Sequence, residues 1–130
     1  MRPRFLSVDD LLHVHADLIE HYGGDAGVRD RGLLESATAQ PQAMFGGEYL
    51  HRDIAEMAAA YMFHLCQNHA FVDGNKRVAA SAAIIFLDLN GLELSFSEAE
   101  MEALTMAVAR SERSKADVAA EFRMRVVPRR

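Results

Sequence analysis

Two apolar stretches at helical spacing, parted by a short polar segment, limit what this chain can fold into. Ile54, Met57, Ala58, Tyr61, Met62, Leu65 and Cys66 recur at the interval that puts them on one face of a helix from about Arg52 to Asn68. After the polar residues His69 to Gly74, another helix runs from Asn75 to about Asn90. Its residues Val78 to Phe86 are apolar almost all round, and a helix without a polar face belongs in an interior. The spacing therefore predicts that this fourth helix is the central, most buried one. Such a pair cannot shield itself from water, so other helices must cover it.

Those helices carry their own start and stop signals. Ser7 followed by Asp10 has the form of a capping box, with Leu11, Leu12, His15, Leu18 and Ile19 at helical spacing and Gly23-Gly24 as the stop. Asp30 is placed to cap a helix from Arg31 to about Gln40, which Pro41 ends. Pro41 to Leu50 contains Gly46-Gly47 between Phe45 and Tyr49, the pattern of a loop or small hairpin that exposes aromatics. Beyond Gly91, Leu92 to Phe96 suits a short extended piece. Ser97 with Glu100 opens a helix to about Arg110, and a last one spans roughly Lys115 to Arg125 before Pro128. The expected fold class is all-α: a bundle of about six helices around a buried central one, with a β-hairpin flap.

The 130 residues suit one domain over 1–130, and a chain half hydrophobic and 25% charged can build a core. A net charge of -5 argues against nucleic-acid binding by charge alone. The basic tail Arg123, Arg125, Arg129, Arg130 reads first as a solvated end, and second as a contact for an acidic partner. The one cysteine, Cys66, lies in an apolar run and reads as a buried, inert thiol. No signal peptide is visible, and Val78 to Leu87 is too short to span a bilayer, so a soluble cytoplasmic protein is expected.

Chemistry concentrates in the polar segment between the two apolar helices, where a rigid scaffold can hold it. Within nine residues it offers His69, Asp73, Gly74, Asn75, Lys76 and Arg77. A helix start presents free N–H groups and the positive end of a dipole, which together attract anions. Gly74 leaves the backbone open to a phosphate, and Asn75 can cap the helix. Arg77 brings a planar fork of donors and Lys76 a point charge. Basic residues in a first helical turn oppose the dipole, a small cost that an anionic ligand would remove. Asp73 is a hard oxygen ligand of the kind Mg²⁺ takes, and an imidazole such as that of His69 can accept a proton near neutral pH. Singly, each has a plainer reading: a loop histidine, a turn before a helix, solvated charges. Phe71 reads as a core anchor for the loop.

The whole segment His69-Ala70-Phe71-Val72-Asp73-Gly74-Asn75-Lys76-Arg77 resembles the Fic-family signature H-x-F-x-D/E-G-N-G/K-R at every fixed position. Gly27 to Ala37 resembles the N-terminal segment of the Doc ("death on curing") branch, whose length this chain shares. The resemblance implies His69 as general base, Asp73 as Mg²⁺ ligand, and Gly74, Asn75, Lys76 and Arg77 as phosphate holders. Lys76 stands where most adenylyl-transferring members carry Gly. The Lys form implies a reversed nucleotide and transfer of the terminal phosphate of ATP to a protein hydroxyl, in a target such as a translation factor. It also implies a toxin of a toxin–antitoxin pair that arrests growth, with an antitoxin segment lying across the active-site groove. By position, Phe45-Gly46-Gly47 matches the flap that aligns a target by strand addition, and an ordinary surface turn is the competing reading.

Three rivals stay open at this point: AMP transfer by the same residues, a non-catalytic binding module, and nucleic-acid binding through the tail. Other motifs fall away. His51-Arg52-Asp53 imitates a protein-kinase catalytic loop, but Ala58 stands where an Asn is needed. No phosphate-binding P-loop occurs, His13 and His15 are wrongly spaced to share a helix face, and His64, His69 and Asp73 lack a zinc spacing.

Overall fold

A computed structural model describes residues 2–130. Six helices follow in chain order: α1 (Val8–Tyr22), α2 (Arg31–Ala39), α3 (Ile54–Asn68), α4 (Asn75–Leu89), α5 (Glu98–Ala109) and α6 (Lys115–Arg125). Two small antiparallel ladders accompany them. Strands β1 (Met44–Phe45) and β2 (Glu48–Tyr49) form one, and β3 (Leu92–Leu94) with β4 (Val126–Pro128) the other.

Five of the six helix starts are set by side chains, those at Ser7, Asp30 and Ser97 as the sequence predicts. Ser7 and Ser97 each close a reciprocal capping box, with Asp10 and Glu100, and Ser114 does the same with Asp117. Asp30 caps α2 and Asp53 caps α3 through the amides of Leu33 and Glu56. The His51-Arg52-Asp53 sequence is thus the polar entry to α3. No described helix is long and apolar enough to cross a membrane.

The centre of the bundle is α3, where the expectation named α4. Every residue from Met57 to Met62 is fully inaccessible to water, whereas Ile84 on α4 is 48% exposed. The reason lies in the neighbours. α3 is flanked by α4 and α6, with α2 and α5 closing the remaining sides. Alanines at 55, 58, 59 and 60 on α3 and at 79, 82 and 83 on α4 are all buried, and small side chains let two helix axes approach closely. Tyr61, Phe86 and Phe5 add to this packing as a chain of stacked and tilted rings. Tyr61 also takes the amide of Leu6 on its hydroxyl, tying the N-terminal segment down.

The tail is largely solvated, as expected, but it is not a free end. Residues Val126–Pro128 pair with β3 in the register Leu92↔Pro128, Glu93↔Val127, Leu94↔Val126. Three of its four arginines have acidic partners: Arg123 meets Asp53 and Glu56, Arg125 meets Glu100, and Arg129 reaches Asp88. Such exposed pairs contribute little stability each, but they offset part of the charge that suggested an acidic partner.

Candidate active site

The segment between α3 and α4 is held by every element around it. α3 ends at His69, whose backbone is left-handed at φ 50°, ψ 48°. A residue other than glycine takes this conformation at a cost of order 1 kcal/mol, and Arg29 opposes the cost. The Arg29 guanidinium donates from Nε to the His69 carbonyl at 2.6 Å and from Nη2 to the Asn68 carbonyl at 3.1 Å. It thus caps the C-terminus of α3, the end at which a cation suits the helix dipole. The side chain of His69 stays exposed.

Residues 70–72 then run antiparallel to 27–30. Ala70 accepts the amides of Arg29 and Asp30, Val72 donates to Gly27, and Phe71 bridges Val28. The segment from Gly27, singled out in the sequence by its resemblance to Doc proteins, is therefore the backing strip of this loop. Phe71 is the buried anchor expected of it.

Asn75 does something other than cap the helix. The N-cap of α4 is Gly74, with no side-chain cap, at φ 82°, a conformation glycine takes without strain. The Asn75 amide instead pairs with Phe71 twice, Oδ1 accepting its N–H at 3.0 Å and Nδ2 donating to its carbonyl at 2.9 Å. Its side chain closes the loop as a strand neighbour would, which leaves its backbone N–H and one side-chain N–H for an anion. The amides of Asn75, Lys76 and Arg77 precede the first intrahelical bond, from Val78 to Gly74. They form the open mouth of the helix.

Asp73 is exposed and gripped at one carboxylate oxygen, Oδ2, by the amide of Asp25 at 2.9 Å. Oδ1 stays open to a ligand. Mg²⁺ is commonly held by one or two carboxylates plus phosphate oxygens and water, and this donor set fits that pattern. Among the described residues no three His, Cys, Asp or Glu side chains cluster to hold a metal, so the carboxylate suits an ion that arrives with phosphates.

Lys76 and Arg77 project from the first turn of α4 into a groove of about 590 Å³ between α1, α4, β3 and α5. Its apolar wall includes Leu18, Ile84, Phe96 and Met101, and Glu93, Glu98 and Glu102 line it too. The Arg77 guanidinium lies 4.4 Å from the ring centre of Tyr22, a cation–π contact. His69 and Asp73 lie outside the lining of this groove.

Three residues that support the site were not assigned to it from sequence: His15, Tyr22 and Arg29. His15 carried a signal, a polar residue on the apolar face of α1. Arg29 carried only its place beside Asp30, and Tyr22 none. Two residues set aside lie where the sequence puts them, Cys66 buried and His64 within a helix. Burial pushes the Cys66 thiol up to about 11, and His64 sits in α3 beside Lys115, remote in role from the loop.

Comparison with known proteins agrees with this architecture. The profile of the Fic/DOC family matches residues 5–87. The "Toxin Doc" of Mycolicibacterium smegmatis is 47% identical over 74 residues, an alignment that spans 57% of this chain and only 57% of that protein. The "Protein kinase doc" of Escherichia phage P1 is 34% identical over 120 residues, 92% of this chain and 94% of that one. With the family's loop intact between α3 and α4 and likeness extending nearly end to end, the chain belongs to the Fic/DOC family.

Proposed function

We propose that the protein is the toxin of a toxin–antitoxin pair, a phosphotransferase that moves the terminal phosphate of ATP to a hydroxyl of a target protein such as a translation factor. The observation that carries this reading is the loop itself. An exposed imidazole, an exposed carboxylate and the open amides of α4 share one short segment whose backbone is tied at both ends. The name carried by the phage relative, a protein kinase, supports the choice of reaction.

Phosphoryl transfer needs positioning and charge neutralisation more than covalent help. The target hydroxyl oxygen attacks the terminal phosphorus while His69 takes its proton. The bond from that phosphorus to the bridging oxygen breaks, and ADP leaves. The amides after Gly74, with Lys76 and Arg77, hold the phosphates, and Asp73 binds Mg²⁺. The ion, when bound, neutralises phosphate charge. A long cation at Lys76 in place of glycine fills space beside the helix mouth and favours placing the terminal phosphate there. The antitoxin is a protein partner whose segment covers the groove beside Lys76 and Arg77. The protein acts in the cytoplasm, where ATP and translation factors are found.

ATP labelled at the α or the γ phosphate, supplied with cell lysate, tests the reaction. Label from the γ position is expected on protein. Label from the α position would instead establish AMP transfer by the same residues. Growth arrest by a His69→Ala variant as strong as the parent's would show a binding module without chemistry.

A further inference from the structure

A histidine on the apolar face of a helix is costly unless its ring nitrogens are used. His15 is 2% exposed in the middle of α1. Its ring lies almost parallel to that of Phe71, with centroids 3.9 Å apart and planes 12° apart. Its Nε2 is 2.8 Å from the carbonyl oxygen of Asp73. A carbonyl only accepts, so Nε2 carries the hydrogen and His15 is the donor.

That carbonyl belongs to the peptide unit joining Asp73 to Gly74. The unit sits at a sensitive place, because Gly74 has φ 82° and no side-chain cap limits its rotation. A Cβ on Gly74 would lie 3.7 Å from the His15 ring, so ring and turn are in contact. Rotation about either bond flanking this peptide would turn the Asp73 side chain relative to the first amides of α4. Asp73 is thus held twice, at its carbonyl by His15 and at Oδ2 by the amide of Asp25.

We infer that His15 is a positioning residue for nucleotide binding: its Nε2–H bond to the Asp73 carbonyl sets the plane of the Asp73–Gly74 peptide and so aims the Asp73 carboxylate. The inference rests on the magnesium-nucleotide reading of the loop. It gives α1, which contributes no reacting group, a specific part in holding the ion. Groups that orient a metal ligand typically change metal affinity about 10–100-fold when removed.

Two variants of the full chain separate the hydrogen bond from the ring. His15→Phe keeps a flat ring against Phe71 and has no donor. His15→Gln lacks the ring but places an amide nitrogen the same number of bonds from Cβ as Nε2. Both are made in a His69→Ala background, so that nothing turns over, and ATP binding is measured by calorimetry across a magnesium series. Amide exchange of residues 71–77 is followed without nucleotide. The Phe variant is expected to need about tenfold more Mg²⁺ for half-maximal ATP binding and to exchange its loop amides faster. The Gln variant is expected to restore both to near the parent. Should the Phe variant not fold, His15→Leu, equally without a donor, takes its place. Unchanged magnesium dependence in the donorless variant, or a Gln variant no better than it, overturns the role of His15. A parent that binds no magnesium nucleotide overturns the transferase reading, and the aiming role with it.

Discussion

The segments that lead into and out of α3 are both short and glycine-bearing, yet they are held in opposite ways. The one after α3, His69 to Gly74, is tied by Arg29, by the strip 27–30, by Asn75 and by His15. The one before it, the hairpin of β1 and β2, is held by two residue pairs and the Leu50–Ala43 bond, and its Phe45 is 82% exposed. Only Tyr49 ties it inward, packing on Phe5 at 5.7 Å, although the sequence suggested that both aromatics would be exposed. Chemistry needs groups fixed to within a fraction of an ångström. A surface that adds a strand to a partner needs free edges instead. One helix is thus bordered by a clamped loop and a free one, and each suits a different part of the proposed reaction.

The largest expected effect is on chemistry alone. His69→Ala should lower transfer of γ-phosphate to target protein by about 100-fold or more, with the melting temperature near the parent's because the side chain is exposed. A fall in both would mean that His69 is structural and the clamped loop is only a piece of scaffold. Next is Asn75→Ala, which breaks both bonds to Phe71 and should cost about 2 kcal/mol in urea unfolding. Asn75→Asp keeps the acceptor and should lose less. Arg29→Ala should follow at about 1–2 kcal/mol, with amide exchange speeding up at residues 68–72 and unchanged in the hairpin.

Acid offers a control away from both segments, at the seam of α3 and α6. His64 lies 3.2 Å from Lys115 Nζ. Burial first, then the charges of Lys115 and His51, hold its imidazole down at about 4, against 6.5 for the free group. The charged groups facing it are Lys115 from α6 and His51 before α3, and Glu56 on α3 acts on both of these. Its folded form prefers to be neutral, so the unfolded chain binds more protons between these two values. Stability is then full above about pH 6.5 and declines as pH falls toward 4. The loss should be about 1 kcal/mol once partial exposure is allowed for. Thermal unfolding across this range checks it, and His64→Gln should flatten the profile. The smallest expected effect is that of Phe45→Ala, within about 0.5 kcal/mol of the parent in stability. If the hairpin receives the target, modification of protein should nonetheless fall while ATP binding is kept.

Much of this molecule can be read along the chain because it depends on neighbours within one or two turns. Ser7, Ser97, Asp30 and Asp53 each bind an amide three residues on, so their role is written in local order. The same holds for the nine-residue loop, whose reactive side chains come from one stretch. The mistaken readings share another cause. Asn75 looked like a cap because a cap is the nearest task for an Asn at a helix start, and its true partner is the Phe71 backbone four residues back. The pairing of Val126–Pro128 was not foreseen, because its ladder partner Leu92–Leu94 lies before α5 and α6 in the chain.

What the sequence determined by itself is the inventory: six helices, three of them with their caps, an apolar pair at the centre, and one loop carrying imidazole, carboxylate and cations. Only the tertiary structure decided how that loop is held. Arg29 reaches across 40 residues and His15 across 58 to bind its carbonyls. It also decided that α3, with helices on all sides, lies deeper than α4, although the apolar run Val78 to Phe86 had pointed to α4 as the central helix. Periodicity reports which face a helix can bury, whereas depth and long-range hydrogen bonds depend on what the rest of the chain places against it.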